Sequence, residues 1–338
     1  MALARRDLVV VGASAGGVEA LRALVRGLPA DFPAAIAVVL HLPAGGTSNL
    51  AQILGRVGPL PAVQAADGTP LQPGRIHVAP PDHHLLVADG HLRLSHGPTE
   101  SGHRPAVDAL FRSAARALGP RVVGVVLSGV LDDGAAGLVA IASRGGAAVV
   151  QDPADALYPA MPEAAMRLVT VDHVVPADDL GKVLAERVGD LVDTARSPEL
   201  SPLEQVEAEI AERGDTGTAN ELARMGEESG YSCPDCQGSL LRLDDAPSRY
   251  RCRVGHAWTE DALLDEQSVT FERALWTALR MLEERGALAR RLATAAGARV
   301  DPVMERRYGE TVREADAAAD VLRRVLLSGL RPDGARTA

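Results

Sequence analysis

Apolar and polar positions divide the chain into two regimes. From residue 7 to about 192, short β-branched and aliphatic runs alternate with longer stretches whose apolar residues recur at helical spacing. The pattern predicts strands over 8–11, 35–40, 74–79, 121–127 and 147–151, with a hairpin over 85–87 and 90–94. Helices are predicted over 18–28, 47–57 (with Thr47 or Ser48 as N-cap), 105–118, 135–144, 162–168 and 180–194. The strand runs are apolar throughout, as expected of a parallel sheet covered by helices on both faces. The fold class read from this pattern is α/β, doubly wound and mainly parallel. Beyond residue 196 the alternation stops. Ser-Pro pairs at Ser197 and Ser201, an acidic helical run over 203–213 and a Gly/Thr-rich stretch over 214–218 predict an acidic linker over 196–230. A compact Cys/His segment follows over 231–258, and residues 262–330 read as two helices broken near Ala296-Gly297, a helical hairpin. The expected division is thus 1–195, 196–230 and 231–335.

Composition narrows the function classes. The chain has 338 residues, 46% of them hydrophobic, enough for a substantial core. A net charge of -10 argues against nucleic acid as partner, because phosphate neutralisation needs clustered Lys and Arg. No apolar run reaches the ~20 residues that span a bilayer, and the opening residues run directly into the first strand. A cytoplasmic protein without membrane insertion is expected. All 3 Cys fall between Cys233 and Cys252, which points to one local site rather than a disulfide framework.

The first strand ends in Gly12-Ala13-Ser14-Ala15-Gly16-Gly17 and passes at once into a helix. Such a turn serves either a dinucleotide phosphate or a nucleophile elbow of the form G-x-S-x-G. A phosphate cradle wants glycine where Ser14 stands and an acidic residue after the second strand, where the chain has Leu40-His41. The elbow reading needs a base and a carboxylate that fixes the base's tautomer. His41 and Asp133 stand after two other strands, at the sheet end where parallel α/β folds place their sites. Ser14, His41 and Asp133 are therefore the candidate triad. Asp132 is read as a solvated turn residue or N-cap, and the histidines at 77, 83, 84, 91, 96 and 103 rank below His41 as peripheral.

These residues resemble the catalytic domain of the chemotaxis receptor protein-glutamate methylesterases. The resemblance rests on 11–21, on His41-Leu42-Pro43, on 103–111 beginning His103-Arg104-Pro105, and on Leu127-Ser128-Gly129 through Asp133-Gly134-Ala135-Ala136-Gly137. It implies hydrolysis of glutamate γ-methyl esters on the cytoplasmic helices of chemoreceptors, with the related deamidation of glutamine. Ser14 would be nucleophile, His41 base and Asp133 its orienting acid. Backbone N–H groups of the elbow and of the Val130 loop would hold the oxyanion, without a catalytic cofactor. Where the family usually has Gly-Met-Gly-x-Asp-Gly, this chain has Gly129-Val130-Leu131-Asp132-Asp133-Gly134, which bears on rate and substrate preference. The family's phospho-receiver has no expected place ahead of the Ser14 strand, so control in cis by that route is not expected. The alternatives are a weakly active scaffold that binds receptor or methyltransferase, and an esterase for another ester.

Cys233-Pro234-Asp235-Cys236, fifteen residues, then Cys252 and His256 give C-x2-C…C-x3-H. This spacing predicts a closed Cys3His structural zinc site on a small ribbon, with strands over 240–243 and 250–251 between the ligand pairs. The Arg249, Tyr250, Arg251 and Arg253 stretch is assigned to ligand-side solvation or protein contact rather than nucleic acid.

Overall fold

The structure, a computed structural model, describes residues 3–43, 45–213, 222, 224–243 and 248–328. The chain forms two compact units, Met1–Leu263 and Leu264–Ala338. In the first, the strand-like runs become a seven-stranded sheet with order β10-β9-β8-β2-β3-β5-β4. These are β2 (Leu8–Ala13), β3 (Ala35–Leu40), β4 (Ala62–Gln64), β5 (Ile76–Val78), β8 (Val122–Val126), β9 (Ala147–Gln151) and β10 (His173–Val175), and all their pairings are parallel.

Alternate residues along the strands feed two cores, so neither face can be solvated. Val9, Val11 and Ala13 pack under α1 (Gly17–Arg26), α2 (Leu50–Val57) and α6 (Ala177–Arg187) through Leu21, Leu24, Leu54, Leu180 and Leu184. Leu8 and Val10 pack on the other side under α3 (Val107–Leu118), α4 (Ala135–Ser143) and α5 (Ala160–Leu168). Val10 alone, if it lost its side chain to Ala, would forfeit about 1–3 kcal/mol of transfer and cavity energy. The expected hairpin is β6 (His84–Ala88) with β7 (His91–Ser95), joined at the same core by Leu85 and Leu92.

Two expected elements differ. The closing helix predicted over 180–194 is α6, which stops at Arg187. Val188 is extended and Gly189 takes φ 92°, a conformation that ends a helix, and Leu191–Asp193 then forms β11, antiparallel to β1 (Leu3–Arg5). The helix predicted over 47–57 begins at Leu50, because the Ser48 hydroxyl accepts the Leu50 N–H at 3.3 Å and holds the preceding residues in a turn.

After β11, α7 (Pro202–Arg213) buries Val206, Ile210 and Ala211. The ribbon is an antiparallel sheet of β12 (Gly226–Ser232), β13 (Ser239–Leu243), β14 (Arg249–Cys252) and β15 (Ala257–Thr259), in that order. Two long helices follow, α8 (Glu260–Ala298) and α9 (Pro302–Leu327). Asp301 caps α9 by accepting the Met304 N–H. Within the second unit, Glu283 pairs with Arg323 and Arg290 with Asp316, so the helices run antiparallel. Among the described residues, no helix is long and apolar enough to cross a membrane.

Candidate active site

The β2–β3 register sets Ala13 opposite Leu40, so the next residues, Ser14 and His41, leave neighbouring strands side by side. The His41 N–H donates to the Ala13 carbonyl at 3.1 Å, extending the ladder by one step. Ser14 heads the turn: its N–H donates to the Ser128 carbonyl, and its carbonyl accepts the Gly17 N–H. The glycines of the turn answer to packing. A Cβ on Gly12 would lie 2.1 Å from Val107 Cγ1 at the start of α3, and Gly16 holds φ 70° against Ser128.

His41 Nε2 lies 2.7 Å from Asp133 Oδ2, with the two side chains 5 and 4% exposed. His41 Nδ1 is buried with no hydrogen-bond partner among the described residues. An ionised Asp133 fixes the proton on Nε2, which leaves Nδ1 as the lone pair available to a serine hydroxyl. Asp133 is itself held by the N-terminus of α3, accepting from Val107 N at 2.7 Å and Asp108 N at 2.9 Å. Burial alone would raise its pKa. The hydrogen bond and charge of His41, the charge of His103 and the Val107 N–H outweigh burial and bring it below the ordinary value.

Asp108 completes a reciprocal clasp by accepting from Gly134 N and Gly137 N in the first turn of α4. Burial and the charge of Asp133 push the Asp108 carboxyl up to about 8, so at neutral pH the pair carries its charge on Asp133. The Gly129 N–H is spent on the Tyr158 carbonyl at 2.9 Å, whereas the Ala15 and Val130 N–H groups donate to no protein acceptor among the described residues. These two N–H groups are free to donate to another acceptor. Val130 and Leu157, 43 and 69% exposed, put apolar surface beside the turn.

Of the three residues selected from sequence, His41 and Asp133 are in direct contact, and Ser14 follows the strand paired with the one that leads to His41. Two readings need correction. His103 is not peripheral: its ring stacks on His41 with centroids 3.7 Å apart and planes 13° from parallel. Burial, with the His41 charge added, lowers its pKa to about 4, so it covers the base as a neutral ring. Its place just before Arg104-Pro105 and α3 was the available signal. Asp132 is half-buried rather than fully solvated. Its Oδ1 accepts the Thr259 hydroxyl at 2.8 Å, and burial raises its carboxyl to about 6.

Arg249 and Arg251 face inward. Arg251 joins Glu207 of α7 to Glu100, Arg249 pairs with Glu207, and Arg112 of α3 also pairs with Glu100, all of them almost fully buried. These arginines are committed to carboxylates within the chain.

Cys233, Cys236, Cys252 and His256 place one donor atom each within 4.8 Å of all the others. The Cys236–Cys252 sulfurs are 3.6 Å apart, and His256 Nδ1 is 3.7 Å from Cys233 Sγ and 3.5 Å from Cys252 Sγ. Donors about 2.0–2.3 Å from a tetrahedral ion are separated by roughly 3.3–3.8 Å, so the cluster can hold a metal ion. Hydrogen bonding with Cys252 lowers the Cys233 thiol, and the same bond raises Cys252.

Comparison with known proteins adds to this geometry. Residues 9–184 match the family model described as CheB methylesterase. A curated protein-glutamate methylesterase/protein-glutamine glutaminase of Anaeromyxobacter dehalogenans is 45% identical over 183 residues, covering 54% of this chain and 54% of that protein. A protein of the same name from Xanthomonas euvesicatoria is 40% identical over 181 residues, covering 52% of this chain and 50% of its own length. The chain therefore spans about half the length of these relatives. The crystal structure of the Thermotoga maritima CheB methylesterase catalytic domain matches with a TM-score of 0.51 at 32% identity, covering 53% of this chain and 97% of that domain.

Proposed function

The chain belongs to the CheB methylesterase family, and we propose that Ser14, His41 and Asp133 hydrolyse glutamate γ-methyl esters on chemoreceptor helices and deamidate glutamine there. The supporting observation is the buried His41 Nε2–Asp133 contact, with Nδ1 left unpartnered at the strand end that carries Ser14. In this reaction Ser14 Oγ bonds to the ester carbonyl carbon while its proton passes to His41 Nδ1. The Ala15 and Val130 N–H groups receive the oxyanion, each such donor being worth about 2.7–4 kcal/mol in comparable sites. Collapse breaks the acyl C–O bond, and the His41 proton leaves with methanol. Water then attacks the acyl-serine by the same proton route and releases the glutamate carboxylate. With glutamine the leaving group is ammonia.

Val130 and Leu157 offer the apolar contact that a receptor helix would bring beside its esterified side chain. A cytoplasmic location follows from that substrate. The Cys233, Cys236, Cys252 and His256 cluster would hold zinc, since three thiolates and an imidazole suit that ion and four protein ligands leave no open position for catalysis. The proposed role is structural.

The test is release of methanol from methyl-labelled receptor. The intact chain should release it, and Ser14→Ala should fall by at least 10³-fold, towards the residual rate that binding and oxyanion donors supply. Equal rates for the two proteins would leave the sheet domain as a binding scaffold.

A further inference from the structure

The ribbon is seated against the loops that carry the triad. β15 extends alongside residues 99–101: the Ala257 N–H donates to the Thr99 carbonyl at 3.1 Å, and the Ser101 N–H donates to the Ala257 carbonyl at 2.7 Å. Two residues further on, this same loop delivers His103 to the face of His41. The Trp258 ring lies over Gly102, where a Cβ would sit 3.6 Å from its edge. On the other side of the site, Thr259 Oγ1 donates to Asp132, the neighbour of Asp133.

Leu131 supplies the most telling contact. It holds φ 61°, a left-handed conformation that costs a branched-chain residue about 1–2 kcal/mol and that glycine adopts freely. Its side chain packs against the ribbon core formed by Cys233, Leu240, Tyr250, Cys252, Trp258 and Leu263. The strained backbone is retained together with a leucine that reaches another element. Two of the four candidate metal ligands, Cys233 and Cys252, belong to the core that Leu131 touches.

From these contacts we infer that the ribbon is a working wall of the active site, with Leu131, Trp258 and Thr259 as positioning residues for Asp133 and His103. Occupancy of the Cys/His site then sets the geometry of the triad. The inference rests on the zinc reading of the cluster and the esterase reading of Ser14. It differs from a purely structural zinc because the consequence of metal loss is local: the 99–104 and 129–134 loops loosen while the parallel sheet stays folded.

Five full-length proteins test it: the wild type, Cys236→Ser, Leu131→Gly, Thr259→Val and, as the conservative rescue, Thr259→Ser. Cys236 is the exposed ligand, so its loss disturbs packing least. Leu131→Gly removes the anchor while relieving the backbone, so failure to fold is not its expected outcome. Each is measured for bound zinc, for amide exchange at 99–104 and 129–134, and for kcat and KM on a methyl ester. Cys236→Ser should lose zinc, exchange at least tenfold faster in both loops with β2, β3 and β8 unchanged, and lose about tenfold in kcat with KM within twofold. Leu131→Gly and Thr259→Val should reproduce the exchange in the 129–134 loop and the kcat loss with zinc retained, and Thr259→Ser should restore most of the rate. Loops and kcat that stay at wild-type values after zinc is lost, or after both anchors are removed, overturn the inference. A wild type without zinc overturns the metal reading and the linkage with it. A wild type that hydrolyses no ester, yet shows the coupled exchange, fails only the esterase reading.

Discussion

A methyl group at residue 12 would stand 2.1 Å from Val107, the residue whose N–H holds the Asp133 carboxylate. Gly12→Ala is therefore expected to push back the first turn of α3, costing about 1–3 kcal/mol of stability by overpacking and lowering kcat by more than stability alone explains. Denaturant unfolding alongside steady-state kinetics would check both. Asp133→Asn keeps the shape but offers His41 an amide in place of an anion. The resulting loss of the tautomer that frees Nδ1 should reduce kcat by about 10⁴ with little change in KM. The places of Ser14, His41 and Asp133 after three neighbouring parallel strands were legible, because each follows an apolar run. The turn itself was ambiguous, since its glycines serve packing and suit either chemistry. The contacts of His103 and Asp108 were not legible, although the place of His103 just before Arg104-Pro105 was a signal. One acts by stacking across a loop and the other by accepting helix N–H groups, and neither contact leaves a spacing in the sequence.

Elements explain why the site is rigid. The N-termini of α3 and α4 each present backbone donors to a carboxylate supplied by the other's segment: Asp133 on α3 and Asp108 on α4. The 196–230 stretch shows where sequence patterning runs out. Its helix appeared as predicted, but the packing of α7 depends on buried Glu207 meeting Arg249 and Arg251 from β14, some 40 residues later. Charge counted along the chain could not show that these ions neutralise one another. Arg251 bridges Glu100 and Glu207 at 2.9 Å each, so Arg251→Met leaves both carboxylates short of a buried counter-charge. Loss of about 3–5 kcal/mol is expected, seen as a lower unfolding midpoint. An unchanged midpoint would mean that Arg112 and Arg249 suffice for the two carboxylates.

For the molecule as a whole, buried ionisable groups pull stability in opposite directions as pH changes. Asp133, Glu100 and Glu207 have carboxyls lowered on folding, so their contribution is present above the unfolded carboxylate pKa and is lost as pH falls through their folded values. Burial lowers the pKa of His77, His84 and the half-buried His103, so they too cost stability once pH falls below the ordinary 6.5. Asp108 runs the other way. It ionises at about 3.8 in the unfolded chain and at about 8 in the folded one, so the unfolded state binds fewer protons between those values and stability declines as pH rises. Asparagine at this position cannot titrate, yet its carbonyl oxygen can still accept the Gly134 and Gly137 N–H groups. The melting temperature of Asp108→Asn relative to wild type should therefore climb steadily from pH 5 to pH 8 and level off above it. Taking the difference between the two proteins cancels the titrating groups that do not interact with Asp108. A difference that stays constant across that range would show that Asp108 is ionised beside Asp133 in the folded protein. The charge of the clasp would then be two rather than one.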